Sequence, residues 1–328
     1  MSLKKAESTS SIRDSSIDIA AGLMILVMII NHTLQRTGYH NVILEQFLML
    51  FSFFMPWFFF KGGMFYRQED VKTTFHKGCK KLLQPYFVYN IIGVIVTFIV
   101  VVGTGENDIV GYLVQSINEW IRYGAPFGNL PLWFLFSFFV VRLLTSLYST
   151  YRISPLVVAV ITFAGCWTAN IMGGANLYWI INIPMGLMFF SLGIVLKELQ
   201  YTKKVIVLSV VVYFLFVLFE IPYVGMFTGN LIQGEYFLWP LFAVSGCILI
   251  NNLSKLFSGK KIVDNGIGYI GLNSMTYYVQ HWVVLSLMLG SSILMKIDFL
   301  NIYAVILCIV IVLFFSTSYN LLNRKIRK

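Results

Sequence analysis

The sequence predicts an all-α polytopic membrane bundle of about ten transmembrane helices with both termini in the cytoplasm. Three observations predict it. The first is composition: 58% of the 328 residues are hydrophobic and only 12% are charged. A soluble domain carries roughly 25% charged residues, so too little polar surface remains to coat a water-soluble globule. The second is a series of apolar runs near the length of about 20 residues that a spanning helix needs. The third is that the basic residues cluster in alternate connections between those runs.

The runs fall at Ile17–Gln35, Ile43–Tyr66, Leu82–Val102, Leu132–Tyr148, Pro155–Met172, Trp179–Leu196, Val205–Phe219, Phe237–Leu253, Ile267–Leu289 and Leu300–Leu321. The first run lacks a small-residue cleavage site and precedes many others, so it reads as an uncleaved helix. The fifth is weakened by Gly165 and Asn170, and the seventh is short. No soluble domain and no internal repeat stands out. Residues 1–328 therefore form a single membrane domain, with 1–16 as a short cytoplasmic tail.

With the N-terminus inside, 20 of the 24 Lys and Arg residues fall in inner segments. Arg36, Arg122 and Lys296 fall outside, and Lys61 lies within a span. A wrong helix count would scramble this alternation. The same distribution explains the net charge of +10 without nucleic acid. The longest outer connection, Gly103–Pro131, carries Glu106, Asp108, Glu119 and Arg122, and Glu220–Tyr236 adds Glu220 and Glu235. These connections either roof an outward cavity or simply link spans. Cys79, Cys166, Cys247 and Cys308 are scattered, which implies no disulfide framework and no metal site.

Ionisable groups inside a membrane are costly and mark candidate chemistry. Asp18 and His32 share one face of the first helix to within roughly 40°, with His32 about 22 Å above the inner end. Asn31 precedes His32. A histidine is the natural general base toward a hydroxyl, and a packed structural histidine is the plain alternative. In the second run, Pro56 predicts a kink, Gly62 and Gly63 permit close approach of another helix, and Lys61 either snorkels or lines a cavity. The basic stretch Arg67–Pro85 suits lipid or cofactor phosphates. Trp133 heads the fourth span. Asn273, Ser274, Tyr277, Tyr278, Gln280 and His281 form a polar stripe in the ninth that belongs in the bundle interior.

Five segments occur in order on these helices. They are Asp18-Ile19-Ala20-Ala21-Gly22 running to Asn31-His32, Met55-Pro56-Trp57-Phe58-Phe59-Phe60-Lys61-Gly62-Gly63, Leu82-Leu83-Gln84-Pro85-Tyr86, Leu132-Trp133-Phe134-Leu135, and Asn273-Ser274-Met275-Thr276-Tyr277-Tyr278-Val279-Gln280-His281. In these the chain resembles the membrane acyltransferase-3 family, which includes bacterial sugar and polysaccharide O-acetyltransferases. The resemblance runs from about Arg13 to Tyr319.

It implies ten helices, cytosolic acyl-CoA as a co-substrate with no permanently bound cofactor, an outward-presented acceptor hydroxyl, and a bacterial inner membrane. It also implies that His32 is central to transfer. On that basis the catalytic candidates are His32 and Asp18. Lys61, Lys77, Lys80, Lys81 and Arg142 are candidates for the donor, and Asn31, Trp133, Tyr277 and His281 for the acceptor. The partners would be acyl-CoA, a glycan or lipid-linked sugar and membrane lipids, with no nucleic acid, and homo-oligomerisation is left open. Two positions depart from the family pattern. Ala21 stands where a basic residue is usual, and Phe54 where many members have histidine. Lys61, at nearly the depth of Ala21, is a candidate replacement cation, positioned to pair with Asp18. A glycan or lipid transporter and an inactive acyl-CoA-binding relative are the alternatives.

Overall fold

The computed structural model describes residues 14–103, 105, 109–172, 178–220, 226, 236–295 and 301–326. The first thirteen residues with Lys4, Lys5 and Arg13, the loop residues Glu106, Asp108 and Glu235, and Lys296, Arg327 and Lys328 lie outside them. The described chain is 86% helical and has no strands. It is an all-α membrane protein. The helices are α1 (Ser15–Thr37), α2 (Val42–Met49), α3 (Phe54–Met64), α4 (Val71–Gly78), α5 (Gln84–Gly103), α6 (Ile109–Tyr123), α7 (Trp133–Thr150), α8 (Pro155–Ile171), α9 (Tyr178–Leu196), α10 (Lys203–Leu218), α11 (Trp239–Phe257), α12 (Lys261–Val263), α13 (Tyr269–Leu272), α14 (Ser274–Met295) and α15 (Ile302–Ile326). Below, the end where α1 begins is the bottom.

Among the described residues, six helical stretches are long and apolar enough to cross a bilayer. They are Ser15–Thr37, Val42–Met64, Val71–Gly103, Val110–Thr150, Trp239–Phe257 and Ile302–Ile326, with Pro155–Ala169 and Ile181–Leu196 as shorter apolar helices. Large apolar side chains such as Ile95, Ile99, Phe214, Leu218, Ile306 and Phe314 are exposed around the bundle. On a soluble protein such a surface would aggregate, whereas in lipid it costs nothing.

Helix α1 runs through the centre. Asp14 starts it by accepting a hydrogen bond from the Ser16 N–H at 2.9 Å. Gly38 ends it in the left-handed conformation, with φ of 67°. Most of its side chains are buried, including Ala20, Ala21, Met24, Ile25 and Met28.

The second apolar run is not one kinked helix. It breaks between α2 and α3, and Pro56 sits in the first turn of α3. There its missing N–H has no helical partner to lose, so Pro56 begins a helix rather than bending one. The close approach expected of Gly62 and Gly63 occurs against α9: a methyl group on Gly63 would lie 1.9 Å from the Phe190 carbonyl oxygen.

The basic stretch before the third run is helical, not a loop. Asp70 caps α4 by accepting from the Thr73 N–H at 2.8 Å. These hydrogen bonds hold the Asp70 carboxyl below its ordinary range. A π-helical turn, Cys79–Leu83, then joins α4 to α5. The ninth run opens on a π-helical turn at Asp264–Gly268 and is broken at Asn273, between α13 and α14. Just beyond the π-helical turn Gly271 presses on α1, where a methyl group would lie 1.7 Å from the Asp18 carbonyl oxygen.

The connection Gly103–Pro131 is also corrected. It contains α6, whose Val110, Leu113, Val114, Ile117 and Ile121 are exposed on one face, and a 3-10 turn at Phe127–Leu132. Its opposite face is tied to α5. Trp120 Nε1 donates to the Tyr86 hydroxyl at 2.6 Å, and Tyr112 donates to the Val94 carbonyl at 3.1 Å.

Candidate active site

Two cavities lie along α1. The upper one, of about 630 Å³, is lined by Asn31, His32, Gln35, Tyr39, Glu45, Gln46, Trp133, Tyr278 and Trp282 among others. Helix α2 forms one side and the head of α7 another. The lower one, of about 300 Å³, is lined by Ile25, Phe58, Phe65, Leu82, Phe134, Leu135, Phe138 and Met275, with Lys61 and Ser274 as polar members. Both volumes are in or near the range of small-molecule sites.

His32 and His281 meet at the upper cavity. They are 249 residues apart in sequence, yet His32 Nδ1 lies 2.8 Å from His281 Nε2. The rings are stacked, with centroids 5.0 Å apart and an interplanar angle of 10°. His281 is fully buried and its Nδ1 lies 2.6 Å from the Tyr278 carbonyl oxygen. A carbonyl only accepts, so the His281 proton is on Nδ1. With both rings neutral, His281 Nε2 accepts and His32 Nδ1 donates. His32 Nε2 then keeps its lone pair. The helical backbone of α14 thereby fixes which nitrogen of His32 is basic.

Trp282 braces this pair from the side, edge-on to His32 with centroids 5.4 Å apart. Arg36, one turn above His32, lies 5.0 Å from the Trp282 ring centroid and donates to Ser286 Oγ at 3.2 Å. The sequence marked Arg36 only as an outer cation and did not mark Trp282.

The remaining candidates divide. Asn31 and Trp133 line the upper cavity with His32. So does Phe54. The position where many family members carry histidine therefore faces the same space as His32. Tyr277 does not join them. It is buried against α15, with its hydroxyl 2.7 Å from Thr317 Oγ1, while its neighbour Tyr278 reaches both cavities.

Lys61 lines the lower cavity, its Nζ 5.3 Å from the Trp57 ring centroid. Trp57 is itself fixed, donating from Nε1 to Asn251 Oδ1 at 2.8 Å, and Asn251 in turn donates to Gln200 Oε1 at 2.9 Å. Such closed polar pairing is what a membrane interior requires. Asp18 is half-buried low on α1, beside Gly271, and is well below His32. Lys77, Lys80 and Lys81 are exposed, Lys77 within 2.5 Å of Glu69 Oε1. Leu82, the next residue, lines the lower cavity, whereas Lys80 and Lys81 do not. Half-buried Arg142 lies one turn below Phe139, whose ring packs on Gly78.

Chemically, the arrangement offers an oriented imidazole base in a polar and aromatic chamber and, beyond the shared Tyr278 wall, an apolar chamber with one ammonium. The family model described as an acyltransferase domain matches residues 14–321, nearly the whole chain. The chain belongs to the acyltransferase-3 family and is a membrane acyltransferase. No curated protein and no solved structure matches it.

Proposed function

We propose that the chain transfers an acetyl group from acetyl-CoA to a hydroxyl of a cell-surface glycan or its lipid-linked precursor. The observation that carries the proposal is the contrast between the cavity that His32 lines and the one that shares its Tyr278 wall. The upper cavity presents amides at Asn31, Gln35 and Gln46 and flat rings at Trp133 and Trp282. Amides suit sugar hydroxyls, and aromatic rings suit the faces of sugar rings. The lower cavity suits a slender, mostly apolar arm. Lys61 would hold it, and Lys80, Lys81, Lys77 and Arg142 would receive the phosphates at the bottom.

In this reaction His32 Nε2 takes the proton of the acceptor hydroxyl as its oxygen attacks the thioester carbonyl carbon. The C–O bond forms, the C–S bond breaks, and the departing CoA thiolate recovers the proton from His32. His281 holds the His32 ring through Nδ1 and stabilises the imidazolium that forms between the two steps. Such general base catalysis contributes about 10²- to 10⁴-fold. Asp18 would shape the lower part of α1.

The same reading sets the bottom of the molecule in the cytoplasm, with both termini there, ten spans, and a bacterial inner membrane as the home. The bottom carries the basic connections, which favour that side.

The test is mass spectrometry of surface glycans from cells with and without the protein, followed by acetyl transfer from labelled acetyl-CoA to the purified glycan. Loss of one acetyl group from the glycan, restored by the chain, is the expected result. Identical glycans in both cells and no label transferred would refute it. The inactive-relative reading draws on Phe54 and Ala21, and binding of acetyl-CoA without turnover would favour it.

A further inference from the structure

Tyr278 is common to the walls of both cavities. Its ring is braced from below by Phe134, with centroids 5.6 Å apart and the planes at 70°. Phe134 itself lines the lower cavity. From above, the Tyr278 hydroxyl donates to the carbonyl of Pro131, which lines the upper cavity. The turn that carries Pro131 is pinned in place. Asn129 leaves helical geometry there, with φ of −155° and ψ of 59°, and its Nδ2 donates to the carbonyls of Tyr89 and Val279 at 3.3 Å each. The carbonyl of Tyr278 is held as well, since it accepts from His281 Nδ1 at 2.6 Å. Backbone and turn are both held, and the buried phenol side chain is what stands between the two spaces.

We propose that the Tyr278 side chain is the partition between the two cavities, latched on the Pro131 carbonyl, and that its opening admits the donor's acyl group to His32. This rests on the acyl-transfer reading. The physical logic concerns water. A base such as His32 activates water as readily as a sugar hydroxyl. A donor thioester left open to the upper cavity would be hydrolysed: water oxygen bonds to the carbonyl carbon, the C–S bond breaks, and CoA leaves as the thiol. A closed partition keeps the thioester in the dry lower chamber until the upper one is filled. Tyr278 is thus a positioning residue, acting through access, and its backbone carbonyl orients the histidine pair independently.

The first experiment reads access without requiring catalysis. Ser274, in the lower cavity wall, is changed to Cys in a chain whose Cys79, Cys166, Cys247 and Cys308 are replaced by Ser. The reconstituted protein is exposed to a small charged methanethiosulfonate from the upper side only. With Tyr278 intact, Ser274→Cys reacts slowly. Tyr278→Ala speeds the reaction at least about tenfold, since the reagent now has an open path. Tyr278→Phe, which keeps the ring and loses the latch, gives an intermediate rate. Equal rates with and without the Tyr278 ring would overturn the partition, and if Tyr278→Ala does not fold, an unchanged rate in Tyr278→Phe does so. The second experiment measures acetyl-CoA hydrolysis without acceptor. It should rise in Tyr278→Phe while transfer to glycan falls, and no rise would overturn the role in excluding water. Labelling as expected in a protein that never consumes acetyl-CoA leaves the partition standing and removes the acyl-transfer reading instead.

Discussion

The two cavities share a wall but almost no chemistry. The upper one is rich in amides, aromatic edges and the imidazole of His32, with Glu45 at its rim. The lower one is a sleeve of Phe, Leu, Ile and Met with one ammonium, Lys61. Burial explains how each is tolerated. Polar groups in a bilayer must be paired or must face a water-filled space. The upper chamber does both, through His281 for His32 and through space for Asn31 and Gln35. In the lower chamber Lys61 lies over Trp57, which is locked to Asn251. On the proposed acyl-transfer reading, the difference makes donor and acceptor recognition separable, so single changes should alter one and leave the other.

The largest effect short of removing the base itself is expected at His281. His281→Ala frees the His32 ring, and transfer should fall about 10²-fold, as for a misplacement of about 1 Å in a catalytic group. Both substrate affinities should hold. A fall in affinity with unchanged kcat would make His281 a binding residue and blur the contrast between chambers.

Next comes Lys61→Ala. Loss of one charge-assisted contact should weaken acetyl-CoA binding about tenfold, with the acceptor KM unchanged. The double variant Ala21→Lys with Lys61→Ala should recover part of the affinity, because it returns a cation one helical turn below Ile25, which is in the same cavity wall. Normal donor binding in Lys61→Ala, measured by calorimetry, would end the replacement-cation idea.

The mirror experiment is Trp133→Ala. It should raise the acceptor KM about two- to tenfold through loss of one aromatic face, while donor affinity stays put. A change in donor affinity there would show the two chambers to be one. The smallest effect is expected from Lys80→Ala with Lys81→Ala. These exposed cations should raise the acetyl-CoA KM about two- to fivefold at low salt, and the difference should vanish near 1 M salt, where the screening length is about 3 Å.

Much of this was legible in the sequence, and the failures have physical causes. Apolar length marked the membrane helices, because bilayer thickness fixes it, and six helical stretches among the described residues are long and apolar enough to cross. The breaks and the π-helical turns were hidden. Leu50 to Phe53 is as apolar as the helices it separates, and a π-helical turn at Cys79–Leu83 or Asp264–Gly268 needs no special residue type. Helix α6 was taken for a loop because only one of its faces is apolar, so a search for uniformly apolar runs passes over it.

At the site, His32 and His281 were both marked, since ionisable groups in a membrane stand out. Their contact was not, as nothing local links residues 249 positions apart. Tyr277 was preferred to Tyr278 because a polar stripe does not say which neighbour faces inward. The seam with α15, where Thr317 receives Tyr277, decides that. Trp282 carried no signal in a chain that is 16% aromatic.

The central claim is that one nitrogen of His32, held by His281, accepts the proton of the acceptor hydroxyl. The direct measurement is single-turnover transfer of labelled acetyl from acetyl-CoA to the native glycan by His32→Ala in reconstituted vesicles. Binding of labelled acetyl-CoA and the melting temperature are measured on the same sample. The account predicts a loss of about 10²-fold or more in transfer, with donor binding and folding retained. Transfer at the rate of the unchanged chain would contradict it.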